Sequence, residues 1–384
     1  MRKGKLLIQI RGTNFSNKGA ELMLYSVLEK IKYEFPNAEF CMEPRTPFFK
    51  RAALNFYQIA ELRFLGFEFG VLAKFIPKRI RERYGLVLIK EIDIVIDASG
   101  FKYSDQWGKD ICLELAESCK RWKNNGTKVI LLPQAFGPFM SKLNQKSIKK
   151  ALKYADLIFA RENISYEYLT NLAGERSNLK IAPDFTNLIK GIIPENFDNK
   201  INRFCIIPNY RMIDKTNKKE SEAYLPFMIK IAHYAYKNDM KPFILVHGDI
   251  NDKIIAEKIR DSVSSDIQII EETNPLKIKG ILGASTAIIS SRYHGIISGL
   301  SQGVPTLATG WSHKYKMLFE EFEFKEGLLD VNMKIDEIHA KINLIINEHS
   351  RKKLINSINI QSKIQTNKTQ KMWDDVFLEL KDKY

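Results

Sequence analysis

The stretch SSRYHGIISGLSQGVPTLATGWSHKYK, Ser290 to Lys316, holds two strand ends and a helix start in one run. Ala287, Ile288 and Ile289 precede it, so its first serines close a short β-rich apolar segment. Ser290, Ser291, Arg292, Tyr293, His294 and Gly295 then lead into the helix-compatible IISGLSQG. A strand running into a helix is the unit of an open α/β sheet. Ligands of such sheets gather outside the carboxyl ends of the strands, where helix N-termini offer N–H groups and partial positive charge to anions. Arg292 and His294 therefore fall where an anion is welcome. The next predicted strand, VPTLATG, ends on Trp311, Ser312, His313 and Lys314, so two successive strand ends present cations to one region. An arginine at a strand end serves equally as a structural ion-pair partner, and a single histidine as a satisfied core or surface residue. Spacing alone leaves both readings open.

Outward from this stretch, strand and helix alternate along the chain. The first half reads KLLIQIRG, AELMLYSVLEKIKYEF, AEFCMEP, a basic helical excursion at about 50–90, DIVIDASG, DICLELAESCKRWKNNG, KVILLPQAFG, a helix to about Tyr154, LIFARE and LKIAPDF. After the linker PENFDNKINR the pattern restarts with FCIIPNY and continues through KPFILVHG and IQIIEE to the opening stretch. Such alternation predicts an α/β chain of two Rossmann-like domains with parallel sheets, residues 1–195 and 203–384. The active site is expected in the interdomain cleft. The final helical patterns, IDEIHAKINLIINEH and MWDDVFLELK, are expected to pack back across the domains.

At 384 residues, two domains are the natural expectation. No signal-peptide pattern opens the chain, and no apolar run approaches the roughly 18 to 20 residues that span a bilayer. A cytoplasmic location is expected. Cys41, Cys112, Cys119 and Cys205 lack paired metal-ligand spacing and read as core thiols. The formal net charge of +15 raises nucleic acid, anionic lipid or an acidic substrate as partners, but no nucleic-acid motif accompanies it. Between Lys50 and Lys90, nine Lys or Arg stand against three Glu. There LRFLGFEFGVLAKFIPKRIRERYG mixes Phe and Leu with the cluster Lys78 to Arg83. This suits peripheral contact with an anionic membrane at the inner face of the cell membrane, or ordinary packing of the excursion onto the first domain.

Other strand ends carry polar residues to the same side. RGTNFSNKGAELML places Asn17 and Gly19 between the first strand and first helix; it is neither a GxGxxG fingerprint nor a P-loop. Ser16 or Asn17 would cap that helix whether or not a ligand binds. IVIDASG supplies Asp97, LLPQAFGP Gln134, KIAPDF Asp184, CIIPNYR Asn209 and Arg211, and LVHGDIND His247. Each is ambiguous alone, since Asp and Asn commonly cap the following helix. Together they form a polar rim.

NKGAELML, LLPQAFGP, FARE and above all SSRYHGIISGLSQGVP followed by HKYK resemble the polysaccharide pyruvyl transferase family, from the first strand to about Leu318. The resemblance implies two Rossmann-like domains in a GT-B-like arrangement. It also implies transfer of pyruvate from phosphoenolpyruvate to a sugar of a cell-surface polysaccharide or its lipid-linked precursor, forming a ketal and releasing phosphate. Residues 1–195 would be the acceptor side and 203–384 the donor side. Many members have Gly-Asp before the first helix. Here Gly19 is followed by Ala20 and Glu21, so either Glu21 supplies that carboxylate one position later or the contact is absent.

The chemistry fits the residues. A carboxylate and a phosphate need fixed cations; Arg292 suits bidentate binding and Lys314 a point charge. His294 is the candidate general acid, since a histidine titrates near neutrality. Ser291, His313, Asn17, Gly19, Glu21, Gln134, Asn209, Arg211 and His247 are candidate substrate contacts. Asp97 or Asp184 would orient or deprotonate a hydroxyl, with no basis for choosing between them. No metal and no cofactor beyond the donor phosphoenolpyruvate is required. The rival reading is a GT-B-type glycosyltransferase with a nucleotide-sugar donor, in which Glu271 or Glu272 would reach the ribose.

Overall fold

The computed structural model describes residues 5–61, 63–64 and 67–381. The chain divides into two compact units. One comprises residues up to Phe15, Met23–Phe185 and Gln370 onward; the other comprises Ser16–Leu22 and Thr186–Thr369. The division in sequence thus falls before the 195–203 linker. By their contacts, the first-turn residues of the helix Lys18–Glu34 belong to the second unit and the last turns of the helix Glu348–Lys381 to the first.

In the first unit the strand Leu7–Arg11 is central. Glu39–Met42, Tyr57–Ile59 and Leu86–Val87 extend the sheet to one side. Ile94–Asp97, Lys128–Phe136, Leu157–Ala160 and Leu179–Ile181 extend it to the other, all in parallel. Helix Asp110–Asn124 buries Cys112, Leu115, Cys119 and Trp122, one face at helical spacing, against Val95, Val129 and Leu131. All four cysteines are buried and free. Burial pushes the Cys112 and Cys119 thiols up to about 12, which makes them inert packing groups.

The helical excursion expected at about 50–90 is a different structure. Two short helices, Phe48–Ala53 and Lys78–Arg83, precede the last two strands on the Glu39–Met42 side of the sheet, Tyr57–Ile59 and Leu86–Val87. Those strands continue the parallel ladder with Cys41 opposite Tyr57 and Gln58 opposite Leu86. Backbone pairing at an open sheet edge outweighs the helical spacing of the apolar residues there. Leu62, Leu65 and Gly66, part of the membrane-surface reading, lie outside the described residues.

In the second unit the strand Phe204–Ile207 lies between Pro242–Val246 and Ala287–Ser290, with Gln268–Glu271 and Thr306–Ala308 at the edges, all parallel. Its side chains alternate. Phe204 and Ile206 share a core with Tyr224, Phe227, Met228 and Ile231 of the helix Lys218–Lys237. Cys205 and Ile207 share one with Ile278, Ile281 and Leu282 of the helix Pro275–Ala284. Each fully buried Ile or Phe contributes about 2 kcal/mol. From the central strand the chain moves outward to one edge, then returns to build the other. The strand order therefore reverses between Phe204–Ile207 and Ala287–Ser290. A crevice opens outside the carboxyl ends of strands at such a switch point, the place where open α/β sheets bind ligands.

Candidate active site

Ile207 and Ser290 are register partners, and the residues following each are bonded across the switch point. Ser291 N–H donates to Ile207 O at 2.9 Å. Asn209 Nδ2 donates to Ser291 O at 2.7 Å, while Asn209 Oδ1 accepts from Arg211 N–H at 3.0 Å. The Tyr224 hydroxyl accepts from Asn209 N–H at 2.9 Å and donates to Ser291 Oγ at 2.8 Å, which in turn meets Thr309 Oγ1 at 2.7 Å. Tyr315 OH also donates to Ser291 O, at 3.2 Å. Burial pushes the Tyr224 phenol upward, so it stays protonated and keeps its donor. Ser291 and Asn209, expected as substrate contacts, are buried with these groups committed. They hold the strand ends in place.

Arg292 emerges from this framework. Its Nε donates to Asp252 Oδ2 at 2.8 Å, and Nη2 bonds the same oxygen. Asp252 is fully buried on the helix Ile250–Asp261 and accepts Tyr210 N–H through Oδ1 at 2.9 Å. The guanidinium is thereby fixed along one edge, and 15% of the side chain is exposed. Its Nη1 corner can receive an anion. Gly248 makes this approach possible, because a Cβ there would collide with both Arg292 and Asp252.

His294 sits on the first turn of the helix Tyr293–Leu300, against the backbone of Gly19, where a Cβ would strike the imidazole. Asn17 Oδ1 accepts Gly19 N–H at 3.0 Å, which is the helix-capping role. Glu21 is buried and pairs with Lys18 at 2.8 Å, so its carboxylate places an ammonium. His247, 4% exposed, has an Nδ1 with no hydrogen-bond partner. Burial, then the charges of Arg292, His294 and Lys18, push its imidazole down to about 3, so it is neutral at ordinary pH. The Lys314 ammonium lies over the rings of Trp311, Tyr293 and Tyr315 at 5.0, 5.3 and 5.5 Å. His313 opens the helix His313–Glu321 beside it.

Among the other expected residues, Arg211 pairs with Asp214 on its own short helix. In the first unit Asp97 is buried, paired with Arg11 at 3.2 Å, and accepts from Tyr103 OH and Ser99 N–H. Asp184 is buried with Arg161 at 3.2 Å. Both carboxylates are held in ion pairs within the first unit. Gln134 is fully buried, and neither end of its amide meets a hydrogen-bond partner. A cavity of about 1030 Å³ in this unit is lined by Gln9, Arg11, Glu43, Arg121 and Trp122 among others, and by none of the expected site residues. The strand-end chemistry, rather than this volume, locates the candidate site. Asp252, Tyr224 and Gly248 complete it without having been singled out in the sequence, together with Lys18, which the sequence did place at a helix start.

Two parallel-sheet α/β units place the chain in the GT-B-like fold class. The structure is similar to a UDP-N-acetylglucosamine 2-epimerase from Listeria monocytogenes, with TM-score 0.61 and 9% identity over 99% of this chain and 98% of that one. It is also similar to Anabaena HepE in complex with UDP-glucose (0.58, 11%, 98% and 99%). The UDP-GlcNAc 2-epimerase from Neisseria meningitidis bound to UDP-GlcNAc is a third such structure (0.56, 12%, 96% and 100%). No curated protein matches in sequence. The polysaccharide pyruvyl transferase family model matches residues 17–313, and the chain belongs to that family.

Proposed function

We propose that this protein transfers pyruvate from phosphoenolpyruvate to two hydroxyls of one sugar, in a cell-surface polysaccharide or its lipid-linked precursor. The observation that carries the reading is the convergence of Arg292, His294 and Lys18 around the neutral, buried His247 at the switch point. An arginine, a lysine and a second histidine beside a buried histidine suit a donor with a carboxylate and a phosphate. The Arg292 Nη1 corner binds one anionic group in a fixed orientation, because Asp252 holds the opposite edge. His294 delivers a proton to the donor methylene, which leaves the enol carbon cationic. One sugar hydroxyl forms a C–O bond to that carbon and its proton returns to His294. The second hydroxyl forms the other C–O bond as the carbon–phosphate oxygen bond breaks, and its proton leaves with phosphate. His247, uncharged, serves as a hydrogen-bonding wall. Lys314, over its three rings, adds positive charge at the next strand end.

The nucleotide-sugar alternative draws on the UDP complexes among the structural relatives. Its expected ribose contacts are otherwise engaged. Glu271 pairs with Lys253 at 2.7 Å, and Glu272 accepts Thr273 and Asn274 N–H at 2.7 and 2.8 Å. The test is phosphate release from phosphoenolpyruvate in the presence of candidate glycan acceptors. Arg292→Lys, which keeps the charge and loses the fork, should lower kcat/KM by roughly 100-fold. Acceptor-dependent phosphate release that Arg292→Lys leaves unchanged would refute the assignment.

A further inference from the structure

The basic edge of the first unit is built on a repeat. Pro47-Phe48-Phe49-Lys50-Arg51 and Pro77-Lys78-Arg79-Ile80-Arg81 each start a short helix at a proline, with an arginine four positions later. In both, arginine Nε donates to the carbonyl of the residue before the proline: Arg51 to Thr46 at 3.1 Å, Arg81 to Ile76 at 3.2 Å. Each guanidinium is then held a second time, Arg51 by Gln58 and Arg81 by both oxygens of Glu91 at 2.7 and 2.8 Å. Arg51 and Arg81 are buried. Each helix packs on the strand that follows it, and those strands, Tyr57–Ile59 and Leu86–Val87, are paired. Two pinned helices therefore stand at one sheet edge.

What this edge, with the turn Phe69–Phe75 before the second helix, presents outward is apolar and basic. Phe48 and Phe49 are 75% and 66% exposed, and Phe75 and Tyr84 each 73%. Leu72 and Ile80 are exposed as well. Lys74, Lys78, Arg79 and Arg83 are exposed among them, with Glu82, close to Lys78, the one acid from Leu72 to Tyr84. Open phenyl groups in such a cluster mark a surface that is covered in use. A two-fold contact with a second copy would set these cations against one another. Aromatic side chains rimmed by Lys and Arg match the headgroup boundary of an anionic bilayer, where the rings enter and the cations meet lipid phosphates. We infer that this edge docks the protein onto an anionic lipid surface.

The test is co-sedimentation of the full chain with phosphatidylcholine vesicles, with and without phosphatidylglycerol. Two triple variants are compared: Lys78→Gln/Arg79→Gln/Arg83→Gln, and Phe48→Ser/Phe49→Ser/Phe75→Ser. Wild type should pellet with the phosphatidylglycerol vesicles alone. The cation variant should lose roughly 100-fold in partition, and the aromatic variant roughly tenfold or more. Both should keep the wild-type melting temperature, since every replaced side chain is exposed. Three results would overturn the inference: no wild-type binding to the anionic vesicles, equal binding to both vesicle types, or a folded variant that binds like wild type. Light scattering that found a wild-type dimer abolished in both variants would make the edge a chain–chain contact instead.

Discussion

At the scale of single residues, His247 makes the second unit sensitive to acid. Its imidazole is held down to about 3 in the folded protein, against about 6.5 in an unfolded chain. Between those values the unfolded chain binds a proton that the folded chain excludes, so stability falls as pH drops from about 6.5 towards 3. At pH 5 the loss from this one group is about 2 kcal/mol. Urea unfolding at pH 7 and pH 5 should show wild type losing about 2 kcal/mol more than His247→Gln on acidification; equal losses would show that His247 is not excluded from protonation. Arg292 and His294 stood out in the sequence because they follow a β-rich run at a predicted helix start, where an anion is welcome. Asp252 was not. An aspartate opening a helix looks like a cap, and nothing local says that it is buried beneath an arginine 40 positions later.

At the scale of elements, the site depends on how closely two helix starts approach. The first turn of Lys18–Glu34 meets His294 through Gly19, which has no side chain to intervene. Gly19→Ala should displace the imidazole and lower kcat by more than roughly tenfold, because misplaced acid–base groups lose their proton-transfer geometry. The melting temperature should change little, since alanine is a better helix former than glycine. A fully active Gly19→Ala would mean that His294 is not held where it acts. The parallel strands of both central sheets were readable as apolar runs closed by turn residues. Tyr57–Ile59, Leu86–Val87 and Phe101–Tyr103 were not: two or three residues long, they are strands only because a partner edge is there to pair with. Of the two closing helical patterns, IDEIHAKINLIINEH is the helix Ile335–Ile346, and MWDDVFLELK is the end of a longer helix, Glu348–Lys381, with no glycine or proline to interrupt it.

At the scale of the whole molecule, the fold leaves the donor open. Two structures similar to this chain at 11 and 12% identity, Anabaena HepE and the Neisseria meningitidis epimerase, are solved with UDP-glucose and UDP-GlcNAc, and fold does not fix function. The family match narrows the class, and the cation cluster around His247 argues for a small dianionic donor. Among the described residues no helix is long and apolar enough to cross a membrane. The most direct measurement is calorimetric titration of the purified chain with phosphoenolpyruvate and, separately, with UDP-sugars, repeated with Arg292→Ala. The account predicts that phosphoenolpyruvate binds wild type, that Arg292→Ala weakens this by roughly 100-fold, and that UDP-sugars give no heat. A UDP-sugar that binds at the Arg292 site while phosphoenolpyruvate does not would contradict it and make the protein a glycosyltransferase.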